Sequence, residues 1–321
     1  LFIDTIEVIT KWMVSYTGKD TFLYAMSHGF VQGFGGGIGI VVPFLFPFFI
    51  IIALIEDTGY LSRIAFLLDN VMHKIGLHGM SIIPIVLGYG CTVPAILATR
   101  ILKSKRDQFI TAALATLVPC AARLTVIFGL VAFFISLKAA VLVYVLNILI
   151  LGILGKILST AMPEVSPGLL MVIPRYHVPR LKTVLQKTWL RMKDFVIIGW
   201  TFLIIGSIVL ELIKYLNMTD PINNFIAPFT SGVLGLPIAV GTTLIFGIMR
   251  KELSLILLFA ALGTNNVASV MTPTQIYVFT IFVTFYIPCL ATVAALIKEL
   301  SLKKAFIISF ITFLIAVILS V

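Results

Sequence analysis

The chain has 321 residues, of which 60% are hydrophobic and only 11% charged. A soluble domain carries about 25% charged residues, and one soluble core of this length would not hide so much apolar surface. The formal net charge of +10 does not indicate nucleic acid, because the basic residues gather in loops. Lys103, Lys105 and Arg106 form one group, and Arg175, Arg180, Lys182, Lys187, Arg191 and Lys193 another, which is the positive-inside pattern of a membrane protein.

A spanning helix needs about 20 mostly apolar residues, and the chain supplies such runs in order. Residues 1–16 read as an amphipathic helix or the end of a span, within an extracytoplasmic segment 1–36. A first span covers 37–56. The amphipathic stretch after it carries Glu56, Asp57, Arg63 and Asp69, which read as interfacial and structurally paired. The apolar stretch 79–101 is interrupted by Gly88-Tyr89-Gly90-Cys91 and by Pro94. Spans follow at 107–136 and 138–162, and the basic loop 163–193 suits contact with anionic lipid or docking of a partner. A span at 194–216 leads to a second interrupted stretch, 236–262, broken at Gly247 and again at Arg250-Lys251-Glu252. Spans at 273–298 and 304–321 complete the chain. Each half of the interrupted stretches is too short to cross, so both read as re-entrant hairpins or discontinuous helices. Irregular backbone at that depth survives only inside protein or beside a watery cavity.

Charge sets the topology. With loops 101–106 and 163–193 in the cytoplasm, Lys298, Lys303 and Lys304 fall on the same side and residues 1–36 fall outside. The chain opens on Leu1 with no signal peptide, and reads as part of a longer protein. A cytoplasmic N-terminal partner domain then calls for one more span upstream.

The two interrupted stretches repeat. Gly76-Leu77 precedes Gly88 by the same 12 positions that separate Gly235-Leu236 from Gly247. Each is followed by a span with a Pro-Cys pair, Pro119-Cys120 and Pro288-Cys289. Three crossings separate the spans 37–56 and 194–216, so the repeats are inverted. Such repeats place a solute site near the bilayer midplane, at their interface. The fold class expected is an all-α polytopic membrane protein of two inverted repeats with broken re-entrant helices. Its parts are an N-terminal segment 1–36, a first repeat 37–136, a middle span and basic loop 137–193, a second repeat 194–298 and a C-terminal span 299–321.

Candidate site residues lie at the interruptions. Cys91 sits where one half-helix ends and another begins, and Cys120 and Cys289 each follow a proline that leaves a carbonyl without its helical partner. Thiolates suit iron, zinc and copper better than magnesium or calcium, so the three are candidate transit ligands, with packing as small hydrophobes as the alternative. Glu252 is a candidate cation ligand, or the partner of Arg250 in a structural pair. Asn265 and Asn266 read as a surface turn or an entrance lining. His28, His73, His78 and His177 show no ligand spacing and read as interfacial. No P-loop, His-Glu-x-x-His or Gly-x-Ser-x-Gly sequence occurs, which gives no support to a nucleotide site, a zinc protease or a serine hydrolase.

Leu54 to Phe66, Gly88 to Pro94, Ala98-Thr99-Arg100, Pro119 to Leu124 and Pro288 to Val293 together resemble the membrane domain of the ferrous-iron transport protein B family. The resemblance runs from about residue 20 to the end. It implies two gate-type repeats like those of nucleoside transporters, ferrous iron as the transported substrate, and a prokaryotic cytoplasmic membrane. It maps the family's suspected iron-path cysteines onto Cys91 and Cys120, with Cys289 as a third. Thr92 departs from the asparagine expected there. The resemblance also implies a regulatory GTP-binding domain upstream, so that GTP is bound outside this chain and this chain is not itself an enzyme, together with a small accessory protein and room for a homo-oligomer. The readings set against iron permeation are a gate-domain transporter of a nucleoside-like solute and a scaffold for a partner GTPase that moves nothing.

Overall fold

The computed structural model describes residues 22–40, 45–162, 176, 178–216, 219–249, 251, 254–263 and 267–321. They are helical, and no strand occurs among them. The expected helix at 1–16, and Arg250, Glu252, Asn265 and Asn266, lie outside the described residues.

Residues 22–36 of the N-terminal segment are helical. They belong to α1 (Phe22–Ile40), and α2 (Phe46–Asp57) follows it. Together they run antiparallel to a rod made of α9 (Leu181–Phe195), a π-helical turn (Val196–Trp200) and α10 (Thr201–Tyr215). The order of contacts shows this. Phe22 meets Tyr215 with ring centroids 6.3 Å apart, His28 lies 3.5 Å from Glu211, and Lys187 reaches Asp57 at 3.1 Å. Arg191 pairs with Glu56 in the same region. Gly29 and Gly37 are packing positions. A Cβ on Gly29 would stand 2.7 Å from the Ile208 Cα, and one on Gly37 would stand 2.4 Å from the Trp200 indole. Small residues let membrane helices approach this closely.

The two repeats make up the rest of the fold. In the first, α3 (Tyr60–Lys74) is amphipathic and meets the helical stretch Gly79–Gly90 at 107°. That stretch ends in α4 (Ile82–Gly90), and α5 (Thr92–Ala98) follows after the single extended residue Cys91. Leu87 and Ala95 share one apolar cluster, with Ile83 and Ala98 packed on it. These positions are symmetric about residue 91, so α4 and α5 fold back on each other with their tip at Gly90-Cys91. A broken span follows: α6 (Lys105–Leu117), a break, then α7 (Ala121–Val126), which continues as a π-helix to Ala132. Helix α8 (Leu137–Ala161) returns.

The second repeat follows the same plan. After α11 (Thr219–Gly232), a hairpin is made of α12 (Val240–Met249) and α13 (Ser254–Leu262). Its broken span is α14 (Pro273–Phe285) and α15 (Leu290–Glu299), and α16 (Leu302–Ser320) ends the chain. Among the described residues, four stretches are long and apolar enough to cross a membrane: Lys105–Ala132, Leu137–Ala161, Pro273–Glu299 and Leu302–Ser320. The chain is therefore a multi-pass membrane protein. The two broken spans are 61% buried and the two unbroken ones 22%, so the broken spans form the centre and α8 and α16 face lipid.

An ion pair fixes the relative direction of the repeats. Arg100, just past α5, donates from Nε to Glu299 Oε2 at 2.6 Å, at the end of α15. Helix α6 starts from that same side five residues later, while α15 arrives there. The broken spans thus run in opposite directions.

Candidate functional site

Both breaks originate in an X-Pro-Cys sequence. Pro119 and Pro288 carry no N–H to continue the ladder. Val118 takes ψ 130° and Cys120 ψ 169°, and Tyr286 takes ψ −173° and Cys289 ψ 154°. Each cysteine becomes the N-cap of the second half-helix. The last carbonyls of the first half-helix are left facing inward, where unpaired buried carbonyls are costly.

Side chains take up these carbonyls. Arg123, 2% exposed, donates from one terminal nitrogen to the carbonyls of Thr116 and Val118. Asn147 of α8, fully buried, donates to the carbonyl of Leu117 at 3.1 Å. At the second break Lys251, 3% exposed, reaches the carbonyl of Val283 at 3.5 Å and lies 4.4 Å over the Tyr286 ring. Tyr286 in turn donates from its hydroxyl to the carbonyl of Leu244 at 3.3 Å. Each break therefore places a buried cation at the negative end of a half-helix, where the dipole favours it.

The hairpin tips meet these breaks. A Cβ on Gly88 would stand 3.3 Å from Val118, beside the first break. Lys251 belongs to the second tip and touches the second break. The breaks also approach each other: α7 and α14, which adjoin them, are in contact. Cys289 bonds Thr292 Oγ1 at 3.0 Å. Cys91 is placed by helix length. Helices α5 and α15 pack together and share the Arg100–Glu299 pair at one end. Nine residues separate Cys91 from Arg100 and ten separate Cys289 from Glu299, so at 1.5 Å per residue both cysteines stand about 14–15 Å from that pair. All three cysteines are free thiols and partly buried.

The structure thus brings Cys120 and Cys289 together and sets Cys91 at their level, while Glu252 lies outside the described residues. The sequence reading missed Arg123 and Asn147 as members of the centre. Asn147 was the readable one, since a lone amide within the apolar run 137–161 is a signal of an interior partner. Toward the charged face, a cavity of about 400 Å3 opens between α3, the first hairpin and α9, lined by Glu56, Ser62, Leu87, Pro94, Arg100 and Arg191 among others.

The family described as "Nucleoside recognition", or Gate, matches residues 38–134 and 200–303, and that described as "Ferrous iron transport protein B C terminus" matches 140–191. Proteins named Fe(2+) transporter FeoB are similar over nearly the whole chain. One from Staphylococcus aureus (strain COL) is 32% identical, over 90% of this chain and 47% of that protein. One from Methanocaldococcus jannaschii is 31% identical over 87% and 46%, and one from Campylobacter jejuni 33% identical over 86% and 50%. The chain belongs to the ferrous iron transport protein B family. It spans about half the length of the relatives it matches, and no solved structure matches it. In this member of the ferrous iron transport protein B family, each Gate match holds one hairpin and one Pro-Cys break, and the C-terminal match covers α8 and most of α9.

Proposed function

We propose that this chain is the permeation part of a ferrous-iron transporter, with Cys120 and Cys289, and Cys91 at the first hairpin tip, as transit ligands. The observation that carries the reading is the meeting of two Pro-Cys breaks from oppositely directed repeats. Sulfur at a helix break suits an Fe(II)-like ion. Two or three sulfurs supplemented by carbonyls bind weakly enough to release it, as conduction requires. Arg123 and Lys251 oppose an entering divalent cation, so the sulfurs must act as thiolates for the ion to enter. Glu252 is retained in the proposal as a further ligand. The names of the relatives favour iron over the nucleoside-like solute that the Gate description alone would suggest.

By the positive-inside rule the charged face is cytoplasmic and the membrane is the prokaryotic inner membrane. In this reading GTP hydrolysis belongs to a cytoplasmic domain outside this chain, a small accessory protein acts with it, and a homo-oligomer is compatible with the lipid-facing spans.

The test is ferrous uptake into proteoliposomes under anaerobic conditions. Cys120→Ser and Cys289→Ser are each expected to lower the initial rate by about tenfold or more, equivalent to about 1.4 kcal/mol of barrier. Unchanged uptake in the double variant removes the thiols from the path. Uridine uptake that persists in both variants, with no iron uptake in the wild type, would establish the nucleoside-like reading instead.

A further inference from the structure

A second group of metal-ligating side chains lies on the charged face, apart from the breaks. Asp69 and His73 share a face of α3 at i, i+4 spacing, with His73 Nε2 3.7 Å from Asp69 Oδ2. The chain then turns back. Gly76, at φ 76°, ends the helix in a Schellman arrangement: Leu77 N–H donates to the Met72 carbonyl and Gly76 N–H to the His73 carbonyl, both at 2.9 Å. That reversal brings His78 over His73, with ring centroids 5.3 Å apart. One ligand atom from each of Asp69, His73 and His78 lies within 4.8 Å of the others.

Two of the three ligands are oriented by their other atoms. His73 Nδ1 lies 3.0 Å from the Leu77 carbonyl. Donation there places the free lone pair on Nε2, on the side of Asp69. Asp69 Oδ1 accepts the Gly79 N–H at 2.7 Å, leaving Oδ2 toward His73. Imidazoles and carboxylates held in this way are typical of metal ligands, whose outer partners fix tautomer and direction. The turn itself is held. A Cβ on Gly79 would stand 2.2 Å from the Ala65 carbonyl. Arg106 donates to the Gly76 carbonyl at 3.0 Å and to Ser159 Oγ at 2.9 Å, clamping the turn to α8. A first-row metal about 2.1 Å from each ligand needs them roughly 3–3.5 Å apart. The His73 side chain is 50% exposed and can swing that distance.

We propose that Asp69, His73 and His78 form a binding site for a divalent first-row transition metal. Two histidines and one carboxylate with open positions are the ligand set of non-haem Fe(II). If the transport reading above holds, the site is the landing place of the ferrous ion on the face where it emerges. The sequence reading took His73 and His78 as interfacial because five positions do not share a helix face. The turn at Gly76 removes that objection.

The probe is Co2+, titrated anaerobically into the purified chain and followed by visible absorption. The wild type is expected to bind one equivalent that His73→Ala and Asp69→Asn lose, with apparent affinity falling by roughly a hundredfold. The wild-type minus His73→Ala difference spectrum should show ligand-field bands and no sulfur-to-metal charge-transfer band. His73 is half exposed and Asn keeps the acceptor for Gly79, so both variants are expected to melt as the wild type does. Equal stoichiometry and spectra in all three proteins, no bound Co2+ in the wild type, or a sulfur band in the difference spectrum each overturn the site. Binding here does not require flux, so this site stands or falls separately from the cysteine variants.

Discussion

Gly247→Ala tests whether the second hairpin is packed as tightly against its break as the structure places it. A Cβ there would stand 2.5 Å from both the Tyr286 hydroxyl and Ser254 Oγ, about 0.9 Å short of ordinary contact at 3.4 Å. Tyr286 has little room to retreat. It is 2% exposed, its hydroxyl is bonded to the Leu244 carbonyl, and Lys251 lies across its ring. Overpacking of this kind costs about 1–3 kcal/mol. Gly152 on lipid-facing α8 is the control, because nothing stands within 4 Å of a Cβ there. Gly152→Ala should gain up to about 1 kcal/mol from helix propensity. The two variants add the same methyl group within a helix and share that gain, so their stabilities should differ by the overpacking cost of about 1–3 kcal/mol. The assay is thermal unfolding in detergent followed by circular dichroism. Gly247→Ala melting at or above Gly152→Ala would refute the packing of the tip on the break.

Two further predictions concern the groups that hold the breaks and the repeats together. Asn147→Ala leaves the Leu117 carbonyl buried without its donor and should cost about 1–3 kcal/mol, read as a lower melting temperature. Full stability would show that this carbonyl finds another partner. Glu299→Gln removes an ion pair whose arginine is 53% exposed. Pairs that open to solvent are worth about 1 kcal/mol or less, so the variant should melt only slightly below the wild type in low salt and level with it in 1 M NaCl. A large loss that salt does not erase would mean that the pair is shielded from solvent.

The helical class, the four long spans and both interruptions could be read from the sequence, because each leaves a local mark: an apolar run, a Gly-x-Gly, or a Pro-Cys. The start of the first rod could not. Gly29 and Gly37 carry no mark of their role in one dimension, and only the partner rod, at Ile208 and Trp200, shows that they are contact positions. The pairing of Glu56 and Asp57 with Lys187 and Arg191 was equally hidden. It links residues more than 120 positions apart, so a linear reading finds the acids paired at an interface but assigns the bases to lipid or a docking partner. The closeness of His73 and His78 was hidden for a local reason, since helix-face spacing fails where the helix ends between them.

The two breaks resolve the same electrostatic problem by different routes. Each Pro-Cys interruption exposes carbonyls at a negative half-helix end in a region where water cannot pair them. In the first repeat the cation comes from the same span, as Arg123 three residues after Cys120. The corresponding position after Cys289 is Thr292, which bonds the thiol instead. The second repeat takes its cation from the opposing hairpin, where Lys251 occupies the place that Thr92 holds after Gly88 in the first. The inverted repeats have therefore diverged in which element carries the charge while keeping one cation at each break. Arg123 and Lys251 thus stand at the breaks that carry Cys120 and Cys289. Under the proposed transport role, a divalent ion passing these side chains would meet sulfur at the same breaks, so the geometry that keeps the helices broken would also present the ligands.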